Sequence, residues 1–430
     1  MAIEAAPTPT RRRWRVTTKP SQGEGHVMRT HRKTRGTDEQ FLALTATTDL
    51  MCYSQAVGHP QCVSQVDYAT AGCPQYLPER ALIRDSLHET ASWIRGSRTS
   101  GSRFLASKTD VSFHYTIGDS RVFLLVYVDD IIMMGTDLVF IDSLLRRLSS
   151  TFKIRDLGKP TFFLGIETLS DGDGFVLSQR RYMADILSRA GMTVCKALAT
   201  PASVTKPATP SPDPFDNPTQ YRRIVGALQY LTITRPDLSF AVNWLCQFMH
   251  SPTQDHGGLL KRVLRYFKGT LDYRLRLAPS LTSALHAFSD SDWVGCPVDR
   301  KSTSGYAVFL GSNLVSWLSC KQCTVARSST EAEYKGLVDV SAEVTWVVSL
   351  LWELGLHSGS PATLWCDNLG ATYLAANPVF HARTKHVEID FHFVYDKVAA
   401  GDFIVNFIST KDQLSDIFTK PLPAPRFQAL

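Results

Sequence analysis

No apolar run in this chain of 430 residues approaches the roughly 20 residues that span a bilayer, and no signal peptide opens it, so a membrane partner is not expected. Cysteine occurs nine times but without a repeated spacing, which argues against a disulfide framework and for reduced thiols. Cys320-Lys321-Gln322-Cys323 is the one close pair, and without a second pair zinc or redox chemistry lacks its ligands. Acidic residues are scarce at one end. Nine basic residues between Arg11 and Arg35 face only Glu4 and Glu24 in the first 36 positions, so most of the net charge of +6 sits there and the remainder is close to neutral. Such an arm can hold nucleic acid by counterion release, or it can be a disordered, solvated tail. Core-forming residues are plentiful: 44% hydrophobic against 20% charged is enough for two or three buried cores.

The most informative stretch is Tyr127-Val128-Asp129-Asp130. The apolar run Val122 to Val128 delivers two adjacent carboxylates and a second run, Ile131 to Met134, leaves them, which predicts a β-hairpin with a paired-acid tip. Adjacent carboxylates repel unless a cation sits between them, and a divalent metal holding nucleotide phosphates is the usual partner. Taken alone, the pair could equally be turn residues.

Periodicity organises the rest of the chain. Leu138, Ile141, Leu145 and Leu148 predict a helix, Phe162 to Ile166 and Gly174 to Leu177 predict strands around a turn at Asp171 to Gly174, and Tyr182, Ile186 and Ala190 predict a second helix. Pro201 to Asn217 has linker composition, and helical segments come after it over Tyr221 to Leu231, Leu238 to Met249 and Leu259 to Phe267. Lys261, Arg262, Arg265 and Lys268 could face a nucleic-acid backbone or simply form a solvated basic face. Toward the C-terminus, strands ending at Asp290 and Asp367, a helix from about Glu333 through Leu337, Val340, Val344, Val347 and Leu351 to Gly355, and a helix carrying Asp416 put four acids where one sheet edge can gather them.

The chain resembles the reverse transcriptase of copia-type retrotransposons. The segments Ala106 to Asp110, Leu124 to Ile132, Phe152 to Gly158, Phe163 to Glu167, Gly226 to Leu231, Thr234 to Asp237 and Leu264 to Thr270 occur in that family's order. From there to the C-terminus the resemblance is to the ribonuclease H fused to such polymerases. It is carried by Phe288 to Trp293, Arg327 to Tyr334, Trp365 to Asn368 and Asp412 to Lys420.

The resemblance implies catalytic and metal-holding roles for Asp290, Glu333, Asp367 and Asp416, with Asp292 and Glu331 as bystanders, and for Asp129 and Asp130 in the polymerase. Two Mg²⁺ ions, or Mn²⁺ in their place, would be the cofactors: Asp290 would bridge them, Glu333 and Asp367 would complete one shell and Asp416 the other. His381 or His386, in a segment with Arg383, Lys385 and Asp390, could act near the scissile phosphate. The implied partners are an RNA/DNA hybrid, template RNA and a DNA primer.

The family's third polymerase carboxylate and its template-placing segment are missing. Asp38 to Leu42 is the nearest remnant of the first and Tyr53 to Gly58 of the second, and residues 67–103 match nothing, as an out-of-frame stretch or wrong exon boundary would leave them. The expected fold is an α+β polymerase palm fragment followed by an α/β ribonuclease H-like domain with a mixed sheet. The expected divisions are a basic disordered arm over 1–36, a degenerate region over 37–103, palm over 104–200, a linker over 201–220, thumb and connection over 221–280, and an independently folding ribonuclease H-like domain over 281–430. Three functions are compatible with this: hybrid cleavage with a truncated polymerase, a fully active RNA-directed DNA polymerase with Asp38 as third acid, or a decayed remnant without activity.

Overall fold

The computed structural model describes residues 10–16, 98–99, 102–103, 105–109, 112–117, 120–127, 130–151, 154–204, 213–377 and 388–430. Among these, the chain forms two compact units divided at Phe175 and Val176.

The first unit holds a six-stranded sheet built from β1 (Thr10–Val16), β2 (Leu105–Ala106), β3 (Ser112–Ile117), β4 (Ser120–Tyr127), β5 (Asp130–Gly135) and β6 (Ile154–Asp156), in the order β2-β3-β4-β5-β1-β6. Strands β4 and β5 are the expected hairpin, antiparallel with Tyr127 opposite Asp130. Helix α1 (Leu138–Thr151) starts where Asp137 Oδ1 accepts the Phe140 N–H at 2.9 Å. Its Ile141, Leu145 and Leu148 are buried with Val122, Leu124, Ile131 and Met133, whereas Leu138, at the helix start, stays exposed.

Two expectations need correction. The arm was expected to be disordered over 1–36, yet Thr10–Val16 is a strand between β5 and β6; its Arg-Arg-Arg-Trp-Arg-Val sequence can fill an open sheet edge because backbone pairing is indifferent to side-chain charge. The rest of 1–36, and the degenerate region up to 97, lie outside the described residues. Phe162 to Ile166 is not one strand either. Leu164 and Gly165 both adopt positive φ, 48° and 75°, and reverse the chain so that β7 (Phe162–Phe163) pairs back on β8 (Ile166–Asp171) with Phe163 opposite Ile166. The turn after β8 falls at Gly172, as expected, before β9 (Gly174–Ser178).

The second unit joins a helical layer to a mixed sheet. Helices α2 (Arg180–Arg189), α3 (Pro218–Leu231), α4 (Ser239–Cys246) and α5 (Gln254–Gly269) share one core, in which Met183, Ile186 and Leu187 of α2 meet Tyr221, Leu228, Val263 and Phe267. Helix α2 therefore belongs with these helices, although the sequence pattern groups it with the palm range 104–200. The supposed linker is anchored too. Phe215 lies against Gly257, where a Cβ would overlap its ring, and its N–H bonds Pro252 O at 2.9 Å; one aromatic in a Pro/Ser/Thr run is enough to dock it. Arg262 and Arg265 reach back to Thr200 Oγ1 and Lys196 O, both at 2.7 Å, so half of the basic helix face is used in holding the chain after α2.

Arg235 ties the helical layer together. It is 1% exposed, and its guanidinium makes a two-pronged pair with Asp237 at 2.8 and 2.7 Å while donating to Thr270 O at 3.0 Å and Thr270 Oγ1 at 2.8 Å. Tyr266 of α5 completes Asp237 with a 2.6 Å bond.

The sheet contains β10 (Leu285–Ser291), β11 (Thr303–Leu310), β12 (Asn313–Lys321), β13 (Ala362–Cys366) and β14 (Phe403–Phe407), ordered β12-β11-β10-β13-β14. The first three are antiparallel and the last two run parallel to β10, giving the expected mixed sheet. Helix α6 (Ser329–Glu353) is capped by Ser328, buries Leu337, Val340, Val344 and Val347, and ends before Gly355 at φ +67°. Helices α7 (Leu369–Ala376), α8 (Glu388–Ala399), α9 (Asp416–Thr419) and α10 (Ala424–Ala429) complete the unit. Packing is continuous across the expected boundary at 280/281: Trp317 Nε1 donates to Thr232 O at 2.9 Å, Lys321 Nζ to Gln247 Oε1 at 3.0 Å, and Tyr266 and Phe427 stack edge-on at 5.6 Å.

Among the described residues no helix is long and apolar enough to cross a membrane, and no disulfide joins the described cysteines.

Candidate active site

Asp290 lies near the end of β10, and Asp367 follows Cys366 at the end of β13. The two strands are parallel with Ser289 opposite Cys366, so both acids leave the sheet at the same edge. Glu333 arrives from α6, whose close approach to β10 depends on Gly336: a Cβ there would stand 2.7 Å from Ser291 Oγ and 2.9 Å from Ser289 Oγ. Glu333, three residues earlier, shares that helix face. Carboxylate oxygens of Asp290, Glu333 and Asp367 lie within 4.8 Å of one another, the only such grouping of His, Cys, Asp or Glu among the described residues.

Asp416 comes from the one-turn helix α9. Gly305, opposite Asp290 in the β10–β11 register, lets this helix sit on the sheet; a Cβ would overlap Phe418 Cβ and stand 2.9 Å from Thr419 Cγ2. Thr419 Oγ1 donates to Asp290 Oδ2, and Lys420 Nζ lies 2.7 Å from Asp416 Oδ1 and 3.2 Å from Asp290 Oδ2. Asp416 thus joins Asp290 through Thr419 and Lys420, outside the closer trio.

Sequence reasoning missed the supports. Gln413, fully buried, donates to Ser289 O at 2.9 Å and accepts from Ser415 N at 3.2 Å, linking the loop before α9 to β10. Thr410 Oγ1 donates to Asp367 Oδ2 at 3.0 Å. Both stand in or beside the fourth acidic motif, which was the only signal for them. The bystander acids have local duties: Asp292 accepts the Thr303 N–H, and Glu331 accepts the Arg327 N–H at 2.9 Å and pairs with Lys335 at 2.7 Å. Asp390 lies in the first turn of α8 and joins no metal-holding group among the described residues, and His381, Arg383, Lys385 and His386 fall outside them. In the first unit, Asp130 begins β5, and Asp129 lies outside the described residues.

Burial, then the charges of Asp290 and Asp367, push the Glu333 carboxyl up to about 9. Burial also raises Asp290, against the opposing pull of Lys420 and Thr419. The Cys366 thiol, its Sγ 4.0 Å from Glu333 Oε2, is pushed up by burial and by Glu333, so it stays protonated and is a poor metal ligand. The donors left are carboxylate oxygens, which suit a hard divalent cation such as Mg²⁺.

The ion-free protein should therefore depend on pH. Glu333 keeps its proton to about 9 when folded and loses it near the ordinary 4.5 when unfolded, so its contribution to stability is complete below about pH 4.5 and is lost as pH rises toward 9. In chelator, the melting temperature of the wild type is expected to fall more steeply than that of Glu333→Gln between about pH 5 and 9. Parallel slopes would contradict the buried, raised carboxyl.

Residues 101–204 match the family model described as reverse transcriptase (RNA-dependent DNA polymerase). A retrovirus-related Pol polyprotein from transposon RE2 of Arabidopsis thaliana is 48% identical over 327 residues, 76% of this chain and 22% of that protein. The chain therefore spans about a fifth of that relative's length. A transposon Ty5-1 protein of Saccharomyces cerevisiae is 31% identical over 220 residues, 50% of this chain and 71% of that protein. Among solved structures, RNase H1 from Halobacterium salinarum is similar over 32% of this chain and 94% of its own, with 10% identity and a TM-score of 0.25. The chain belongs to the copia-type retrotransposon polyproteins, with residues 101–204 in their reverse transcriptase.

Proposed function

We propose that the second unit cleaves the RNA strand of RNA/DNA hybrids, using Asp290, Glu333, Asp367 and Asp416 to hold two divalent metal ions. The observation that carries this reading is the convergence of three carboxylates within 4.8 Å at the sheet edge where the parallel strands end. Bound there, Mg²⁺ ions would supply an activated water and stabilise the leaving 3′ oxygen. The chain's own part is positioning. Asp290 is fixed by Thr419 and Lys420, Asp367 by Thr410, and Glu333 by the helix that Gly336 draws onto β10. Selection of a hybrid would rest on 2′-hydroxyls and groove shape rather than sequence. The test is cleavage of a labelled hybrid by the purified protein with Mg²⁺, beside single-stranded RNA and duplex DNA. Cleavage of all three alike, or of none, rejects the proposal.

Polymerisation is the second reading, and the first unit's sheet speaks against it. Strand β4 already has β3 and β5 as neighbours, which leaves it no edge for a strand carrying Asp38, and the far side of β5 is taken by β1, with Arg15 opposite Asp130 in register. A nucleotidyl transfer that holds two metals needs more than the acids of one hairpin. Primer extension on poly-rA with dTTP and Mg²⁺ is expected to stay at the level of an Asp129→Asn, Asp130→Asn control. Extension above that control, lost again in Asp38→Asn, would restore the polymerase.

A further inference from the structure

Lys420 is the cation shared by two acids of the site. Its Nζ stands 2.7 Å from Asp416 Oδ1 and 3.2 Å from Asp290 Oδ2, so two carboxylates on different elements, 6% and 2% exposed, share one ammonium. No basic side chain among the described residues lies within ion-pair distance of Glu333 or Asp367. The four acids are therefore unequal. Three converge, of which only Asp290 meets a cation, and the fourth is bridged to Asp290 by that positive charge.

The local fold puts the lysine there. Helix α9 is a single turn, so residue 420 falls four after Asp416 and over the same face, and Gly305 holds that turn against β11. The lysine side chain is 36% exposed, so its ammonium can withdraw to water without unfolding the turn. Neither acid is abandoned when it leaves. Asp416 keeps Arg426 at 3.4 Å, itself fixed by the carbonyls of Thr410 and Gln413, and Asp290 keeps the Thr419 hydroxyl.

Taking these acids as ion-holding, as above, we propose that Lys420 is a tethered competitor for the cation position shared by Asp290 and Asp416. A divalent ion binds between those two carboxylates only by displacing the ammonium, whereas at the position among Asp290, Glu333 and Asp367 the ammonium touches Asp290 alone of the three acids. The protein then binds two ions with unequal affinity, and Lys420 sets the weaker one. It is a positioning residue: it keeps Asp290 and Asp416 together in the ion-free protein and delays occupation of the second position.

The test is Mn²⁺ binding to the full chain without nucleic acid, read from the electron paramagnetic resonance of free Mn²⁺. Two affinities are expected for the wild type, and Lys420→Met is expected to tighten the weaker by about 10-fold or more and the tighter by less, since a unit charge about 4 Å away in a partly screened site is worth roughly that or more. Lys420→Gln, which keeps hydrogen bonding without the charge, makes the same comparison if the methionine variant does not unfold cooperatively. A weaker affinity unchanged in both variants, with binding still lost in Asp290→Asn, overturns the role of Lys420 alone. Mn²⁺ binding that is indifferent to Asp290→Asn overturns the ion-holding reading itself. Thermal unfolding gives an independent readout. Lys420→Met should melt below the wild type in chelator and gain more from Mn²⁺, whereas an equal loss in both conditions marks a merely structural lysine and overturns the proposal.

Discussion

Asp290→Asn is expected to lower hybrid cleavage by at least about 10³-fold, roughly 4 kcal/mol of transition-state stabilisation, with the fold retained. Asp290 is the one acid that touches every other part of the site: its oxygens group with those of Glu333 and Asp367, one accepts the Thr419 hydroxyl, and Lys420 links it to Asp416. Asparagine keeps the volume and can still accept the Thr419 hydrogen bond, but it loses the charge that would hold a metal ion. The fold should survive, because burial already works against the Asp290 charge and a neutral amide avoids that cost. Initial rates on a labelled hybrid, together with a melting curve of each protein, check both halves. Equal rates in wild type and variant would remove the catalytic assignment.

The largest expected loss of stability is elsewhere. Arg235→Met should destabilise the second unit by about 3–5 kcal/mol, a fall in melting temperature of roughly 6–20 °C, without touching the acidic site. The reason is asymmetric. Methionine fills much of the space, but Asp237 then keeps its charge, half-enclosed, with only Tyr266 to bond it, and both Thr270 O and Thr270 Oγ1 lose a donor. Removing both charges as Arg235→Met, Asp237→Leu should recover part of the loss, since no orphaned carboxylate remains. Calorimetry of the two variants decides it, and a double variant no more stable than the single one would show that the pair itself, rather than the stranded charge, carries the energy.

Legibility in the sequence followed the range of the interactions involved. The β4–β5 hairpin, α1 and α6 were readable because their apolar period is set by neighbours two, three or four positions away. Phe162 to Ile166 was misread for the same reason: a positive φ at Leu164 is invisible to a pattern of apolar residues. The linker composition of Pro201 to Asn217 hid one docking residue, Phe215, whose partner Gly257 is 42 positions away. Arg235 appeared only as part of a motif, and nothing local says that its charge is enclosed by residues from α5.

By itself, the sequence determined the family, the mixed sheet, and the placing of Asp290 and Asp367 at strand ends, because motif order and strand periodicity are written along the chain. The tertiary structure alone decided how those acids divide. Gly336 brings α6 close enough for Glu333 to join Asp290 and Asp367, Gly305 lets α9 carry Asp416 and Lys420 onto the sheet, and Gln413 fastens the loop between. It also decided that α2 and the helical layer pack with the sheet as one unit, and that Arg15 stands opposite Asp130 in the β1–β5 register. These are contacts between residues tens to hundreds of positions apart. A carboxylate's metal-holding geometry and its proton affinity depend on the space and charge around it, and those exist only once the elements have packed.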